Sequence, residues 1–399
     1  MRVFLSYHSQ FLELAKLLSA KGHEICTHPE FVKILNDIDV KSVNLSEQIT
    51  DAGKVESMLY AVDVLRAIPH VLKIVPSYPA LDDASKRFVS KEVDAFLYQR
   101  LSNLAMIVSA IDTAKPDIVV LHNDVDPMQR TVALWARANG VPCVHVPHAI
   151  YIEETDRGPI GSDVHDIVTA SFLASSGTYQ SNWYMNRGVK PNVIRETGIP
   201  SINKKVVQLH KGKASAALGL NPGLPTITYA SSWRQDTNIL GCHSGVDEWY
   251  EKILDVVRSF PPNSVQLIVK THPNSPSLQW HIDMAKNKDV RCLVTATHLD
   301  AVLGASDLLI SYGPSNIVID ASFHPGIRLS CTHGFEGNPE IHKFGEDATV
   351  ESVVNDIKKL LSVLPVNYAE FRTLFARHND GKNSERIAKF VEDVANDKN

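Results

Sequence analysis

Cysteine is scarce in this chain of 399 residues. The five cysteines are widely separated, odd in number and without a CxxC pair: Cys26, Cys143, Cys242, Cys292 and Cys331. Such a pattern argues against a disulfide framework and against a structural zinc site. It fits a protein of a reducing compartment.

The chain also lacks the segments that direct a protein to a membrane. No apolar run approaches the roughly 18 residues that a membrane span requires. The opening residues, MRVFLSYHSQ, pass directly into an apolar run without a basic segment or a cleavage site, so we expect no signal peptide. A cytoplasmic location is therefore the expectation.

Positive charge is not in excess. Lys and Arg number 40 and Asp and Glu 45, which gives a formal net charge of −5. No global basic field attracts nucleic acid, and the basic residues along 86–100 are interrupted by acidic ones, as on a solvated helix face. With 44% hydrophobic and 21% charged residues, the chain can build two ordinary cores.

Several motifs of known chemistry are missing. The GxGxxG dinucleotide fingerprint, the GxxxxGK[ST] phosphate loop and the GxSxG nucleophile elbow do not occur. The string HNDVD (122–126) is similar to a metal-binding sequence, but no HExxH or second carboxylate cluster accompanies it. We therefore expect neither a required metal nor a cofactor.

Apolar strand-like runs alternate with amphipathic segments throughout the chain. Strands are predicted at 2–7, 24–28, 115–124, 141–149, 226–231, 265–270, 291–296, 307–312 and 327–331. The main helices are predicted at 88–113, 127–140, 246–259, 276–286, 299–305 and 315–323. This alternation indicates α/β architecture, with two Rossmann-like, doubly wound parallel sheets covered by helices on both faces.

A Gly/Pro/Lys-rich stretch near 200–222 is the predicted linker between the two sheets. We expect an N-terminal domain at 1–200 and a C-terminal domain at 223–380. A final helix within 381–399 is expected to pack back on the N-terminal domain.

Ligands of open parallel sheets bind at the carboxyl ends of the strands. In the second half these ends read SSWR (231–234), KTHP (270–273), THLD (297–300) and YGPSN (312–316), which is the composition of an anion site. Gly313 permits close backbone approach, and Ser315 and Asn316 open a helix whose free N–H groups suit a phosphate. A well-capped helix without a ligand is the alternative.

Lys270 and His272 follow one buried strand directly. A cation and an imidazole at that place can neutralise a phosphate or protonate a leaving phosphate. The alternative is a solvated strand end with a histidine that serves only as a hydrogen-bonding group.

The strand ends of the first half offer candidates for a general base. Asp124, Asp126 and His148 can take a proton from an acceptor hydroxyl. Asp126 precedes Pro127 and is also a candidate helix cap. His145 and His148 have an alternative role as hydrogen-bonded structural residues.

Several segments together resemble the GT-B glycosyltransferases, two-domain enzymes whose Rossmann-like domains face a central cleft. LAKLLSAKGHEI is similar to the first helix of that family, and ALWARANGVPCVHVPHAI to its N-domain helix and strand. VKTHPN resembles the His-Pro motif of bacterial surface-polysaccharide, sialyl- and glycerophosphate-transferases. SDLLISYGPSNIVIDASFHPGI resembles the Ser-containing phosphate turn of the family.

The resemblance implies that the N-terminal domain binds an acceptor and the C-terminal domain a nucleotide-sugar. It places Lys270 and His272 near the donor phosphates, and Ser315 and Asn316 at the diphosphate. Asp320 would meet the ribose or the sugar. Asp stands where the family often has Glu, and Pro314-Ser315 where it often has Ser-Ser, so the identity of the donor stays open.

The same resemblance implies further donor contacts. Ser231, Ser232 and Arg234 would face the phosphates, and His298 and Leu299 would lie near the base. Partners would be a nucleotide-sugar and a carbohydrate or other hydroxyl acceptor.

The function expected from this resemblance is metal-independent sugar transfer, with inversion if a first-domain base acts. A non-hydrolysing UDP-sugar 2-epimerase is the first alternative, although SYHSQF stands where those enzymes have a Gly-Thr-Arg-Pro-Glu turn. A DNA-base-modifying glycosyltransferase and a non-catalytic nucleotide-binding protein are the others.

Overall fold

The computed structural model describes most of the chain. The described residues are 1–397 without 74–81, 124–125, 149–169, 203–208, 232–245, 273–277, 314, 336–337, 346, 364–365 and 379. Within this part no helix is both long enough and apolar enough to cross a membrane.

The described strands form two sheets, each with all strands parallel. The first consists of β1 (Arg2–Leu5), β2 (Glu24–Thr27), β3 (Ser42–Asn44), β4 (Ile118–Leu121), β5 (Cys143–His145), β6 (Phe172–Ser175) and β7 (Ile194–Glu196), in the order β3-β2-β1-β4-β5-β6-β7. The second consists of β8 (Thr226–Ala230), β9 (Gln266–Lys270), β10 (Cys292–Thr295), β11 (Leu308–Ser311), β12 (Arg328–Cys331) and β13 (His342–Lys343), in the order β10-β9-β8-β11-β12-β13.

Strand order locates the crevices. In the first sheet β1 lies between β2 and β4, and in the second β8 lies between β9 and β11. The chain therefore winds outward in both directions from β1 and from β8. Such switch points leave a crevice at the carboxyl ends of the central strands, where ligands of open α/β sheets bind.

Helices connect the strands and cover both sheets. They are α1 (Leu12–Ala20), α2 (Pro29–Asn36), α3 (Asp51–Lys73), α4 (Asp83–Ala114), α5 (Pro127–Ala138), α6 (Thr178–Met185), α7 (Lys211–Ala217), α8 (Val246–Arg258), α9 (Gln279–Asn287), α10 (Leu299–Ala305), α11 (Asn316–Ser322), α12 (Val350–Ser362), α13 (Ala369–Phe375) and α14 (Asn383–Asn396). Short 3-10 turns occur at Ser9–Phe11, Leu45–Gln48, Pro191–Val193 and Pro200–Ile202.

Each sheet is buried on both faces, as near-continuous apolar strands require. Along β1, Val3 and Leu5 pack into one core cluster and Phe4 into the cluster on the opposite face. Along β11, Leu309 and Ile310 divide between two clusters in the same way. The predicted architecture of two doubly wound α/β sheets is confirmed.

Two helices show how the chain crosses between the sheets. In the stretch expected to link the domains, α7 packs on the second sheet, with Ala214 against Ile268 and Val302. At the carboxyl end, α14 places Phe390 and Val391 in the core cluster of the first sheet. The chain therefore returns to the first sheet after completing the second.

Candidate functional site

The carboxyl ends of the two sheets approach each other. The side-chain amide of Asn316, at the start of α11, donates to the carbonyl oxygen of His148 after β5, with an N···O distance of 3.4 Å. His272, after β9, lies within electrostatic range of both Lys270 and His148. Residues predicted separately in the two halves of the chain therefore share one region.

Lys270 is buried, with only 6% of its surface exposed. Its Nζ donates to the carbonyl oxygens of Thr271 and Ala296, at 2.8 and 2.9 Å. Burial lowers the pKa of this ammonium group from its ordinary value. Among the described residues no carboxylate forms an ion pair with it, so a buried cation is held by carbonyl dipoles alone.

Lys211 in the same domain provides a contrast. Its Nζ lies 2.6 Å from a carboxylate oxygen of Asp307 and also donates to the carbonyl oxygen of Leu224. A partly buried lysine with a carboxylate partner has its charge compensated within the protein. Lys270 has no such compensation in the described structure, which makes it the better candidate to bind an anion.

Two buried hydroxyl groups lie at neighbouring strand ends. Ser231 follows β8 and Ser311 ends β11, and both Oγ atoms are buried and have no hydrogen-bond partner in the part of the chain that the structure describes. Buried polar groups in proteins nearly always have a partner, so these two are open to a ligand or water. The sequence predicted Ser231 but not Ser311, while Ser232 and Arg234 lie outside the described residues.

The turn after β11 needs glycine. Gly313 has a φ of +70°, and a Cβ there would lie 2.5 Å from Nε2 of His333. Its N–H donates to Oγ1 of Thr332, which is also 3.0 Å from Nδ1 of His333. His333 follows β12 and was not predicted. Pro314 lies outside the described residues.

The start of α11 matches its prediction only in part. Ser315 occupies the N-cap position with extended backbone, but its side chain makes no capping hydrogen bond. Asn316 is the first helical residue, and half-buried Asp320 lies one turn later on the same helix face. The helix has seven residues.

The remaining donor-side candidates are more peripheral. His298 is exposed, with a left-handed φ of 57° at the N-cap of α10 and no side-chain cap. Leu299 packs against a core cluster of the second domain. More than a third of the His272 surface is exposed, but surrounding protein atoms desolvate part of its ring, and this desolvation and then the charges of Lys270 and His148 lower its pKa.

Three imidazole rings lie together at the carboxyl end of the first sheet. The ring centroids of His8 and His122 are 4.6 Å apart, those of His8 and His148 5.4 Å, and those of His122 and His148 5.7 Å. The sequence marked only His148 as a candidate. We refer to these three histidines as the first-domain wall, and to Lys270, His272, Ser311 and Asn316 as the second-domain wall.

His122 is held neutral by its neighbours. Gln129 accepts from the N–H of Asn123 through Oε1, so its Nε2 faces Nε2 of His122 at 3.1 Å as the donor. Nδ1 of His122 therefore carries the proton and lies 2.9 Å from Oγ of Ser6. Burial, with the adjacent histidines, lowers the pKa of His122 to about 2.

The other two imidazoles present different nitrogen atoms. Nδ1 of His148 lies 3.2 Å from the carbonyl oxygen of His122, which can only accept, so the neutral ring has its lone pair on Nε2. Nδ1 of His8 accepts from the N–H of Gln10, so neutral His8 carries its proton on Nε2. Burial and then the His148 charge lower the pKa of His8 to about 4.

Of the two acidic candidates for the general base, the structure describes one, Asp126, and it serves as a helix cap. Oδ1 of Asp126 accepts from the N–H groups of Met128 and Gln129, so Asp126 caps α5. Asp124 lies outside the described residues. His145 is fully buried, and its Nδ1 lies 3.4 Å from the hydroxyl of Tyr184.

The three adjacent imidazoles do not form a metal site. Across the described part of the chain, no group of three or more His, Cys, Asp or Glu side chains is arranged to hold a metal ion.

Comparisons with known proteins find fold relatives only. No protein-family model matches the chain, and no curated protein matches its sequence. Solved structures do match. MnaA of S. aureus in complex with UDP superposes with a TM-score of 0.57 at 15% identity, covering 99% of this chain and 97% of that one.

Two more structures extend the comparison. The UDP-GlcNAc 2-epimerase of Neisseria meningitidis, bound to UDP-GlcNAc, has a TM-score of 0.57 at 12% identity, covering 98% of this chain and all of that one. A glycosyltransferase of Rickettsia africae has a TM-score of 0.50 at 10% identity, covering 99% and 93%.

The likeness shows the fold. At these identities it does not distinguish a transferase from an epimerase. The resemblance to sialyl- and glycerophosphate-transferases through the His-Pro motif finds no support in these matches, and Pro273 lies outside the described residues.

Proposed function

We propose that this chain is a nucleotide-sugar-dependent enzyme, and specifically a glycosyltransferase that moves a sugar to an acceptor hydroxyl. The observation that carries the proposal is that the two domains bring different kinds of side chain to one region, imidazoles from the first and a buried lysine from the second. The candidate base His148 lies on the first domain, and His272 of the second domain interacts electrostatically with both His148 and the buried Lys270.

The second-domain wall suits a diphosphate. A buried ammonium without a carboxylate partner is costly until an anion arrives, and the free hydroxyl of Ser311 at the end of a nearby strand can donate to phosphate oxygens. Fold relatives bound to UDP and to UDP-GlcNAc favour a nucleoside diphosphate sugar as that anion. Ser231, Ser315 and Asn316 complete the proposed contacts, with Asp320 toward the sugar or ribose.

The first-domain wall suits proton removal. Nε2 of His148 accepts the proton of the acceptor hydroxyl while the hydroxyl oxygen attacks the anomeric carbon. The bond from that carbon to the diphosphate oxygen breaks, and the leaving group takes the electron pair. Lys270 and His272, in place of a metal ion, stabilise the charge that develops there. A base on the face opposite the leaving group inverts the anomeric centre.

UDP-sugar 2-epimerisation is the second candidate, because two of the three fold relatives described above are of that type or bound to UDP alone. Two observations favour transfer. The first strand is followed by Ser6-Tyr7-His8 instead of the epimerase turn. In addition, Asp126 is the one first-domain carboxylate candidate that the structure describes. It caps a helix, so it is not placed to act as a base on the sugar.

One experiment separates the candidates. Nucleoside diphosphate sugars, including UDP-GlcNAc, UDP-glucose and GDP-mannose, are incubated with the enzyme in D₂O, with and without a panel of hydroxyl acceptors. Phosphorus and proton NMR then follow the products. Transfer releases free nucleotide and leaves the sugar C2–H intact, whereas epimerisation keeps the diphosphate sugar and places deuterium at C2. An unchanged spectrum with every donor contradicts both.

A further inference from the structure

Helix α3 packs through its small residues. Gly53, Ser57 and Ala61 recur at every fourth position and face α4, and Ser57 and Ala61 are buried there. A Cβ on Gly53 would collide with the side-chain oxygen of Ser109 on α4. The two helices therefore approach closely, and the larger apolar side chains of α3 point elsewhere.

Those larger side chains form an exposed stripe. Val55, Met58, Leu59 and Val62 follow i, i+3, i+4, i+7 spacing, which places them on one helix face. Their exposed fractions are 56%, 51%, 60% and 37%. Ser57 and Ala61 lie on the opposite side of the helix. Single exposed apolar residues are ordinary, but a contiguous stripe on a helix marks an interaction surface.

We propose that this α3 stripe binds the same stripe of a second copy of the chain, with the two helices antiparallel. An isologous contact needs a self-complementary surface. When the pairing is centred between Met58 and Leu59, Val55 of one copy lies at the level of Val62 of the other.

The ends of the stripe carry opposite charges. Asp51 and Arg66 lie at equal distances from the centre of the stripe, one on each side, and both are exposed. Their present ion pairs are local, with Lys54 and Asp63 on the same helix. An antiparallel copy brings the acidic start of each helix to the basic end of the other, whereas a parallel copy brings like charges together.

The border of the stripe favours a protein over a lipid surface. Exposed Glu56 and Asp63 flank its apolar residues on one side. Carboxylates in that position are repelled by anionic lipid head groups. A second α3 offers both an apolar stripe and a matching charge at each end.

Sedimentation equilibrium of the full chain tests the proposal. Wild type is expected to dimerise, and Leu59→Asp is expected to raise the dimer dissociation constant at least 100-fold, because a carboxylate cannot be buried in the stripe. Tyr60→Asp is the matched control. Tyr60 is 58% exposed on the same helix but points away from the stripe, so this variant should dimerise like wild type. Circular dichroism checks that each variant folds.

Charge reversal tests the antiparallel arrangement. Asp51→Arg should weaken the dimer about tenfold, and adding Arg66→Asp in the same chain should restore it. A wild type that stays monomeric at all concentrations overturns the proposal, as does a Leu59→Asp variant that still dimerises. A double charge reversal that fails to restore association overturns the antiparallel pairing.

Discussion

The two walls of the cleft handle charge in opposite ways. On the first-domain wall, His122 and His8 are kept neutral by burial, and His122 also by a fixed set of hydrogen bonds. On the second-domain wall, Lys270 is buried, and its partners among the described residues are carbonyl oxygens. Burial lowers the pKa of Lys270 as well, but this group is an ammonium that no carboxylate of the described residues pairs with, whereas the two imidazoles are uncharged near neutral pH.

This difference separates two tasks. An imidazole with a defined lone pair can take up a proton, and the contact of Nδ1 of His148 with the carbonyl oxygen of His122 leaves Nε2 for the proposed role. A cation without a carboxylate partner can bind an anion without first breaking an ion pair. The proposed function assigns proton transfer to the first domain and anion binding to the second, so substitutions should affect turnover and binding separately.

The largest effect is expected from His148→Gln. Removing a general base costs roughly 10²–10⁴-fold in turnover. Affinity for UDP, which the proposal assigns to the second-domain wall, should change less than threefold. Turnover of the nucleotide-sugar found active in the D₂O experiment and calorimetric titration of UDP provide the two readings.

Asp126→Asn is the control for that substitution. Asn also caps helices, so α5 should stay intact and turnover should remain within about threefold of wild type. If Asp126→Asn abolished turnover and His148→Gln did not, the base would be the carboxylate, and the comparison of the two walls would be wrong.

A smaller effect is expected on the pH dependence of the free energy of unfolding. The folded pKa of His8 is about 4 and that of His122 about 2, both below the ordinary 6.5. As pH falls below 6.5, the unfolded chain binds protons that the folded chain does not, so the free energy of unfolding decreases. The decrease is at most about 1.4 kcal/mol per pH unit for each histidine.

His8→Asn isolates this contribution. An Asn at this position can still accept from the N–H of Gln10, while it removes the titrating ring. Urea unfolding between pH 6.5 and pH 5 should therefore show a shallower pH slope than in wild type. His210→Asn, on the exposed surface of the second domain, should keep the wild-type slope. Equal slopes for His8→Asn and wild type would mean that folding does not change the pKa of His8 and would contradict this account of its burial.

Much of the fold could be predicted from periodicity. Apolar runs such as Ile118–Leu121 have few alternatives to a buried parallel strand, and Pro127 and Gly140 mark the two ends of α5. The helix predicted over 88–113 begins earlier, at Asp83. The side chain of Asp82 caps it by accepting a hydrogen bond from the backbone N–H of Ser85. Domain limits near 200 and 223 stay a prediction.

Less of the candidate site than of the fold could be predicted from the sequence. Rules about strand ends selected Lys270 and His148 because polar residues after apolar runs are visible in one dimension. They could not select His8, Ser311 or His333, whose significance depends on neighbours from distant strands. Nor could they show that Lys211 has a carboxylate partner while Lys270 has none among the residues that the structure describes. Such facts follow from strand order, which a single sequence does not reveal.

The central claim is that Lys270 provides an uncompensated charge for a nucleoside diphosphate. Calorimetric titration of UDP into wild type, Lys270→Met and Lys211→Met tests it directly, with chemical unfolding of each variant alongside. The Lys270→Met variant should bind UDP roughly 10- to 100-fold more weakly than wild type, because it loses a charge-assisted hydrogen bond to the phosphates. The stability of that variant should be equal or higher, because methionine removes a buried charge.

Lys211→Met should show the reverse. It should bind UDP like wild type but lose about 1–2 kcal/mol of unfolding free energy, because Asp307 loses its partner. Wild-type UDP affinity in Lys270→Met, or no UDP binding by the wild-type chain, would contradict the account.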